Sequence, residues 1–568
     1  MPVLSGSQAL LELLAGAGVR YVFGNPGTTE LPLIDELARD PRFQYVLSLQ
    51  EVPVMAMADG YAQASRQLAV VNLHASCGLG NAMGMLYNAY RAGTPLLVTA
   101  GQSDRRLKFE EPILWSDLAQ VARPWTKWSA EVERVQDLPS AVRRAIQTAL
   151  APPTGPVFLS LPMDVQQETA ELDITSGPPL DHRVRPPAAA LRRAAEVLAS
   201  ATNPAILAGS RVVESGAVDE LAAVAERLGA PVYSESATTH GRLPFPPAHA
   251  LYGQALPLWS PQVRRHLEPF DVLLVVGMDL LRQYVYHEPA RAIPEHVRIV
   301  HLDEDPWQIG KNYPVEVGLV GDTKTGLAEL AGYLQSAMTE PLAARAHSRR
   351  AAWAQRHEQE FQQLHQRAAS EPRGQPLSPL ALMATIAESL PPGAAVIEEA
   401  VTTTNNLLER LRALDNADGC FGHRGWALGW GLGCALGVKL AWPQRPVLAL
   451  LGEGAAMYGI QGLWTAARYG LPVTFVVCNN AQYRILKIGA CQLELPQAQA
   501  GQFLGMDLRE PEVDIVALAR SLGVEARRVA SADELRQAVS HSLAAGDVPR
   551  LFDVPIQRDA PGQLGHDG

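Results

Sequence analysis

Glu453 lies in the run Gly452-Glu453-Gly454-Ala455-Ala456, and Asn480 follows it by 27 residues in Cys478-Asn479-Asn480. A carboxylate and an amide oxygen at that spacing suit the holding of a hard divalent cation beside a diphosphate. Mg²⁺ takes oxygen ligands in an octahedron, shared between one or two protein groups and phosphate oxygens. The Glu453 carboxylate, the Asn480 amide oxygen and the Gln482 carbonyl supply three such oxygens. Gly454 lets a diphosphate approach the backbone, and the amides from Ala455 onward, at a helix start, favour an anion. Rival phosphate motifs fail on spacing. A dinucleotide fingerprint needs glycine at position 457, which is Met457, and no GxxxxGK loop occurs. The bland alternative is a glycine-rich turn beside a buried asparagine pair.

These residues need a scaffold that delivers them to one edge. Residues 447–451 read as a buried strand, 460–469 as a helix, and 473–477 as a second buried strand. Glu453 and Asn480 then sit just past the carboxyl ends of strands, where open parallel sheets bind ligands. The same alternation runs through the chain. Apolar strand-like runs fall at 21–23, 45–47, 69–71, 96–98 and 157–159, then at 205–207, 272–276 and 297–302, then at 396–397 and 551–554. Short apolar strands separated by helices predict an α/β fold with doubly wound parallel sheets. Two polar, proline-bearing stretches, 164–187 and 371–376, read as linkers. Three domains result, near 1–165, 188–336 and 376–568. A polar, His- and Gln-rich helix near 343–369 reads as a solvated inter-domain helix. No short-period repeat is present.

Composition limits the function classes. The 568 residues are 47% hydrophobic and 19% charged, which suits several cores and excludes collagen, coiled coil and general disorder. The net charge of −11 argues against a nucleic-acid partner. The five cysteines are odd in number and none has CxxC spacing, so they read as reduced core residues rather than a disulfide framework or zinc knuckle. No apolar run approaches the ~18 residues of a membrane span. The N-terminus carries Glu12 in its Leu-rich stretch, with Ser5 and Gln8 placed as a capping box. It reads as an amphipathic helix and not a signal peptide, so a cytoplasmic protein is expected.

The segment from Gly452 to Asn480 resembles the GDG…NN motif of the thiamine diphosphate-dependent enzyme superfamily, with Glu453 where that family usually has Asp. Further segments resemble the same group. Leu49-Gln50-Glu51 with Ala58-Asp59-Gly60-Tyr61-Ala62 is similar to the family's activating-glutamate helix. Asn25-Pro26-Gly27, Asn72-Leu73-His74 and Gly80-Asn81-Ala82-Met83-Gly84 resemble the benzoylformate decarboxylases. His301-Leu302-Asp303-Glu304-Asp305-Pro306 resembles the central domain of the acetolactate synthase and decarboxylase group, and Ala427-Leu428-Gly429-Trp430-Gly431 the segment that holds the cofactor bent. The matches run from residue 24 to 483, in the family's order.

The resemblance implies a pyrimidine-binding, a central and a diphosphate-binding domain, with thiamine diphosphate and Mg²⁺ as cofactors. It implies that Glu51 drives the aminopyrimidine tautomer and that Leu428 packs under the cofactor. Glu453, Asn480 and Gln482 become metal ligands. Glu399, Thr402, Gly452, Gly454, Ala455 and Tyr483 become cofactor-binding positions, although Thr402 suits a helix N-cap equally well. His74 becomes a proton donor or a binder of the substrate carboxylate. Thr28 becomes a second carboxylate binder, or else the N-cap of the following helix. A second active-site histidine of the benzoylformate decarboxylases falls at Tyr284, with His287 three residues later. His423 and Arg424 could recognise an anion or form a surface turn.

The expected activity is non-oxidative decarboxylation of a 2-oxo acid, possibly aromatic, to an aldehyde and CO₂. The alternative is a carboligase or lyase of the acetolactate synthase or 2-hydroxyacyl-CoA lyase kind, which Tyr284, a poor acid at neutral pH, keeps open. The expected partners are a small 2-oxo acid and further copies of the chain, two at least and four by family habit. No nucleic acid or membrane is expected.

Overall fold

The computed structural model describes residues 1–558 apart from 178–179, 236–240, 283–284, 287, 289–290, 375 and 530. Runs of Val, Leu, Ile and Ala form three six-stranded sheets, each parallel throughout. Strands covered by helices on both faces need continuous apolar runs, and the buried strands Val272–Val276 and Val447–Gly452 have them.

The first sheet has the order Gln44–Leu47, Tyr21–Gly24, Ala69–Leu73, Leu96–Gln102, Val157–Pro162, Ser129–Glu131. The third has the order Cys420–Gly422, Ala395–Glu399, Val447–Gly452, Thr474–Asn479, Arg550–Pro555, Glu525–Arg528. In sequence rank both read 2-1-3-4-6-5. The central sheet differs: Tyr252–Ala255, Val232–Ser234, Pro204–Ala208, Val272–Val276, Arg298–Asp303, Val317–Val320, or 3-2-1-4-5-6. An antiparallel ribbon, Val3–Ser5 with Thr169–Glu171, ties the two ends of the first third together.

Shared cores join the three sheets. Phe23, Met57 and Phe158 pack in one cluster with Leu436 and Phe475, uniting the first sheet with the third. A second cluster unites the third with the central sheet, through Val276 and Leu302 with Val396 and Val476. Helix Glu51–Ser65 crosses helix Trp430–Ala441 with almost no side-chain spacer. A Cβ on Gly437 would lie 2.0 Å from the Met57 carbonyl oxygen, and one on Gly60 would lie 2.4 Å from that of Cys434. The buried Asp59 accepts the Trp430 indole N–H at 2.5 Å across the same contact.

The expected N-terminal capping box is present on helix Gly6–Gly16: Ser5 Oγ accepts the Gln8 amide at 3.2 Å and Gln8 Oε1 accepts the Ser5 amide at 3.0 Å. The polar helix spans Glu340–Ser370 and buries only Ala346, His357 and Leu364. All five cysteines are free, and Cys77 is exposed rather than part of the core. No helix among the described residues is long and apolar enough to cross a membrane.

Candidate active site

The carboxyl edge of the first sheet gathers Asn25, Glu51 and His74 at the ends of adjacent strands. Glu51 opens helix Glu51–Ser65, whose N-cap Gln50 side chain accepts the Val52 amide. Its carboxylate is only 5% exposed, and amide groups from two other elements orient it. Asn25 donates to Oε1 at 3.4 Å and Asn81 to Oε2 at 3.0 Å. The helix start favours an anion there.

His74 ends the strand Ala69–Leu73 and is held by Glu30, which lies 2.9 Å from Nδ1. Glu30 is fully buried. It also accepts the amides of Gly27 and Gly101, at 2.9 and 2.8 Å, and the Thr29 hydroxyl at 2.7 Å. A carboxylate at Nδ1 fixes the N–H on that nitrogen and leaves Nε2 for a ligand. The imidazole rests on the Gly27 backbone, where a Cβ would lie 2.1 Å from the ring. A Cβ on Gly78 would lie 3.4 Å from both Glu51 Oε1 and His74 Cβ, so the two residues flank Gly78 at this edge.

Sequence reasoning passed over Glu30. Glu30 reaches back to the Gly27 amide across a tight turn, and the same carboxylate carries the histidine. Thr28 is exposed, with no hydrogen bond to its hydroxyl among the described residues. It is not an N-cap: Gly27 caps the short turn Thr28–Glu30 and Glu30 caps helix Leu31–Arg39. Its neighbour Thr29 approaches His74, at 3.3 Å. Tyr284 and His287 lie outside the described residues.

The carboxyl edge of the third sheet carries the other group. Glu453 opens helix Glu453–Gly459 directly after strand Val447–Gly452. Its Oε1 accepts the Gln482 amide at 3.1 Å and its Oε2 accepts that of Asn480 at 3.4 Å. Asn480 Oδ1 accepts the same Gln482 amide at 3.0 Å. Oxygens of Glu453 and Asn480 therefore converge on one point. Burial pushes the Glu453 carboxyl above its ordinary value, against the pull of the Gln482 and Asn480 amides. Asn479 turns away and donates to Asp553 at 3.0 Å. A cavity of about 350 Å³ opens here, lined by Glu453, Gly454, Asn479, Tyr483, Leu508 and Ile515 among others. Gly454 faces Tyr483, whose ring would lie 2.8 Å from a Cβ on it. Ala455 is buried in the same helix. Lys487, a buried cation that sequence reasoning missed, donates to Gln482 Oε1 and to Asp507, both at 2.8 Å. These hard oxygens beside a glycine-floored cavity fit a divalent cation and an anionic cofactor. Glu51 and His74 do not line this cavity.

Glu399 serves the scaffold. Its carboxylate accepts three backbone amides, from Gly429, Trp430 and Gly431, each at 2.9 Å. Burial outweighs those bonds and pushes the carboxyl up to about 7. Thr402 sits half-buried in the short helix Val401–Thr404, with no hydrogen bond to its hydroxyl among the described residues. Leu428, half-buried, precedes Gly429, whose φ of 95° turns the chain into helix Trp430–Ala441. Asn88 pins that loop to the first third of the chain: it donates to the Ala427 carbonyl at 2.8 Å and accepts the Ala427 amide at 3.1 Å. His423 and Arg424 form no surface turn, since both are buried. Burial holds His423 down to about 4, and the Arg424 guanidinium faces Glu235 and Asp279 at 3.7 and 3.9 Å.

The architecture agrees with known proteins. Residues 4–113 match the N-terminal TPP binding domain of thiamine pyrophosphate enzymes, 191–330 their central domain, and 400–554 their C-terminal TPP binding domain. Benzoylformate decarboxylase of Pseudomonas aeruginosa is 35% identical over 559 residues, covering 97% of this chain and 99% of that one. A probable acetolactate synthase large subunit of Methanocaldococcus jannaschii is 26% identical, over 97% of this chain and 92% of its own length. The solved thiamine diphosphate-dependent 4-hydroxybenzoylformate decarboxylase of Rhodococcus jostii superposes with a TM-score of 0.84 at 31% identity, covering 98% and 100% of the two chains. The benzoylformate decarboxylase of Polynucleobacter necessarius gives 0.85 at 31% identity, covering 98% and 99%. The chain belongs to the thiamine pyrophosphate enzyme family, among its carbon–carbon lyases.

Proposed function

We propose that this chain is a thiamine diphosphate- and Mg²⁺-dependent decarboxylase that releases CO₂ and an aldehyde from an aromatic 2-oxo acid such as benzoylformate. The observation that carries the reading is His74, oriented by Glu30 and set with Glu51 around Gly78 at the carboxyl edge of the first sheet. Thiamine diphosphate, when bound, supplies the electron sink that accepts the bonding pair as CO₂ leaves. Glu453, Asn480 and the Gln482 carbonyl hold Mg²⁺. The backbone at Gly452, Gly454 and Ala455 receives the diphosphate, and Thr402, Leu428 and Tyr483 bound the rest of the cofactor. Glu399 acts on it indirectly, by fixing the amides that follow Leu428.

Glu51 holds or yields a proton at a carboxylate that Asn25 and Asn81 keep in place. His74 presents Nε2 to the substrate, to bind its carboxylate or to protonate the carbon that CO₂ leaves, work for which an imidazole is suited near neutral pH. Thr28 offers its exposed hydroxyl to the substrate carboxylate, and Tyr284, at the position where the resemblance puts a second active-site histidine, is a further catalytic candidate. We place the pyrimidine-binding domain at 1–165, the central domain at 188–336 and the diphosphate-binding domain at 376–568. Glu51 and His74 do not line the Glu453 cavity, which supports a site completed by a partner chain. The active unit is a homodimer at least, and we favour a tetramer.

A second reading, carboligation, rests on the acetolactate synthase relative. Assaying CO₂ and products from benzoylformate tests both. We expect CO₂ and aldehyde only when thiamine diphosphate and Mg²⁺ are both supplied. Glu51→Gln should abolish turnover while leaving the melting midpoint nearly unchanged. An acyloin in place of the aldehyde would support the second reading. No CO₂ from the cofactor-loaded protein would sink the aromatic decarboxylase.

A further inference from the structure

A second cavity, of about 270 Å³, shares no lining residue with the one beside Glu453. Three parts of the chain wall it. Tyr252 and Gln254 lie on the edge strand of the central sheet, and Phe361, Gln363 and Arg367 on the long helix Glu340–Ser370. Arg410 ends the short helix Leu407–Arg410 of the third part.

The charge in this cavity is unbalanced. Neither Arg367 nor Arg410 makes a hydrogen bond or ion pair through its guanidinium among the described residues. Of the acids nearby, Glu360 also lines the cavity, and its charge partly offsets that of Arg410. Glu360 accepts from Gln254 at 2.9 Å and from Arg356 at 2.8 Å, and Glu409 accepts the Tyr252 hydroxyl at 2.7 Å. The two arginines also feel each other: burial first, and then the Arg367 charge, pull the Arg410 guanidinium below its ordinary range. Arg367 is exposed and Arg410 half-buried, and a like-charge pair with one partly desolvated member favours an anion between them. A guanidinium fork is also the side chain best shaped for phosphate or carboxylate oxygens.

We infer that this cavity is a binding site for a small metabolite bearing a phosphoryl or carboxylate oxyanion, clamped between Arg367 and Arg410. Its volume falls below that of most drug-sized ligand pockets. That suits inorganic phosphate or a short dicarboxylate better than a nucleotide. The anion would touch the central sheet, the long helix and the third part at once, so its binding would fasten them together.

The test is calorimetric titration of the holoenzyme, saturated with thiamine diphosphate and Mg²⁺ so that phosphate has no other cradle. Inorganic phosphate and malonate are titrated separately, with ionic strength held constant by chloride. We expect one saturable site per chain. Arg367→Gln and Arg410→Gln should each weaken binding by about tenfold. The same variants should melt no lower than the parent in anion-free buffer, because removing either cation relieves the other. Binding of phosphate alone identifies a phosphoryl ligand, and binding of malonate alone a carboxylate one. Binding of neither above the chloride control would overturn the site. So would binding that both variants leave intact. If Arg410→Gln does not fold, Arg367→Gln on the exposed helix still decides the question.

Discussion

Glu30 gives His74 a direction. A strand-end histidine alone can swing, but one bound through Nδ1 to a carboxylate that three further donors hold can present only Nε2. The floor under the ring is equally strict, since a Cβ on Gly27 would lie 2.1 Å from it. Gly27→Ala should therefore displace the imidazole without touching the cofactor's cradle. We expect kcat for decarboxylation to fall by about 10²-fold, the lower end of what a positioned acid–base group contributes. Binding of thiamine diphosphate, followed by tryptophan fluorescence, should be unchanged. Lost cofactor binding would mean that Gly27 serves the fold more broadly. The sequence made Glu51, His74, Glu453 and Asn480 legible, because their spacing from strands is local. It named Thr28, whereas the hydroxyl beside His74 is that of Thr29, one step around the same tight turn. Nor could it foresee Glu399 spending its carboxylate on amides 30 to 32 residues away.

At the scale of elements, the crossing of helices Glu51–Ser65 and Trp430–Ala441 is the tightest joint between the first and third sheets. Gly437 has no room for a methyl group, with carbonyl oxygen and amide nitrogen of the opposing helix in the way. Gly437→Ala should cost about 1–3 kcal/mol, the usual range for overpacking a close-fitted contact. Urea unfolding would measure it, and a neutral result would show that the helices slide apart freely. The sequence announced neither this crossing nor the edge strands other than that at 45–47. Ser129–Glu131, Cys420–Gly422 and Glu525–Arg528 are short and stand at sheet margins, where a strand needs no long apolar run. The buried strands were readable for the opposite reason: both of their faces are covered, so nearly every residue had to be apolar.

At the scale of the molecule, the two chemical edges belong to different sheets of one chain. The cavity beside Glu453 has no wall from Glu51 or His74. If a second chain completes each site, activity should vanish on dilution together with the dimer. We expect specific activity and sedimentation coefficient to fall over the same concentration range while the helical circular dichroism signal persists. Full activity in a species that sediments as a single chain would refute the shared site.

The repeated strand order of the first and third sheets has a consequence for how two such sites would behave. The first and third sheets share one strand order and are joined by a close helix crossing, and each carries its own candidate site residues at its carboxyl edge. In a closed pair, one chain's Glu51 would serve one reaction centre and its Leu428 the other. The glycine-paired helices that carry or follow these residues would then work as a stiff rocker: a shift that tightens one centre would be felt at its twin. Turnover out of phase between the two halves would be the kinetic signature of that linkage.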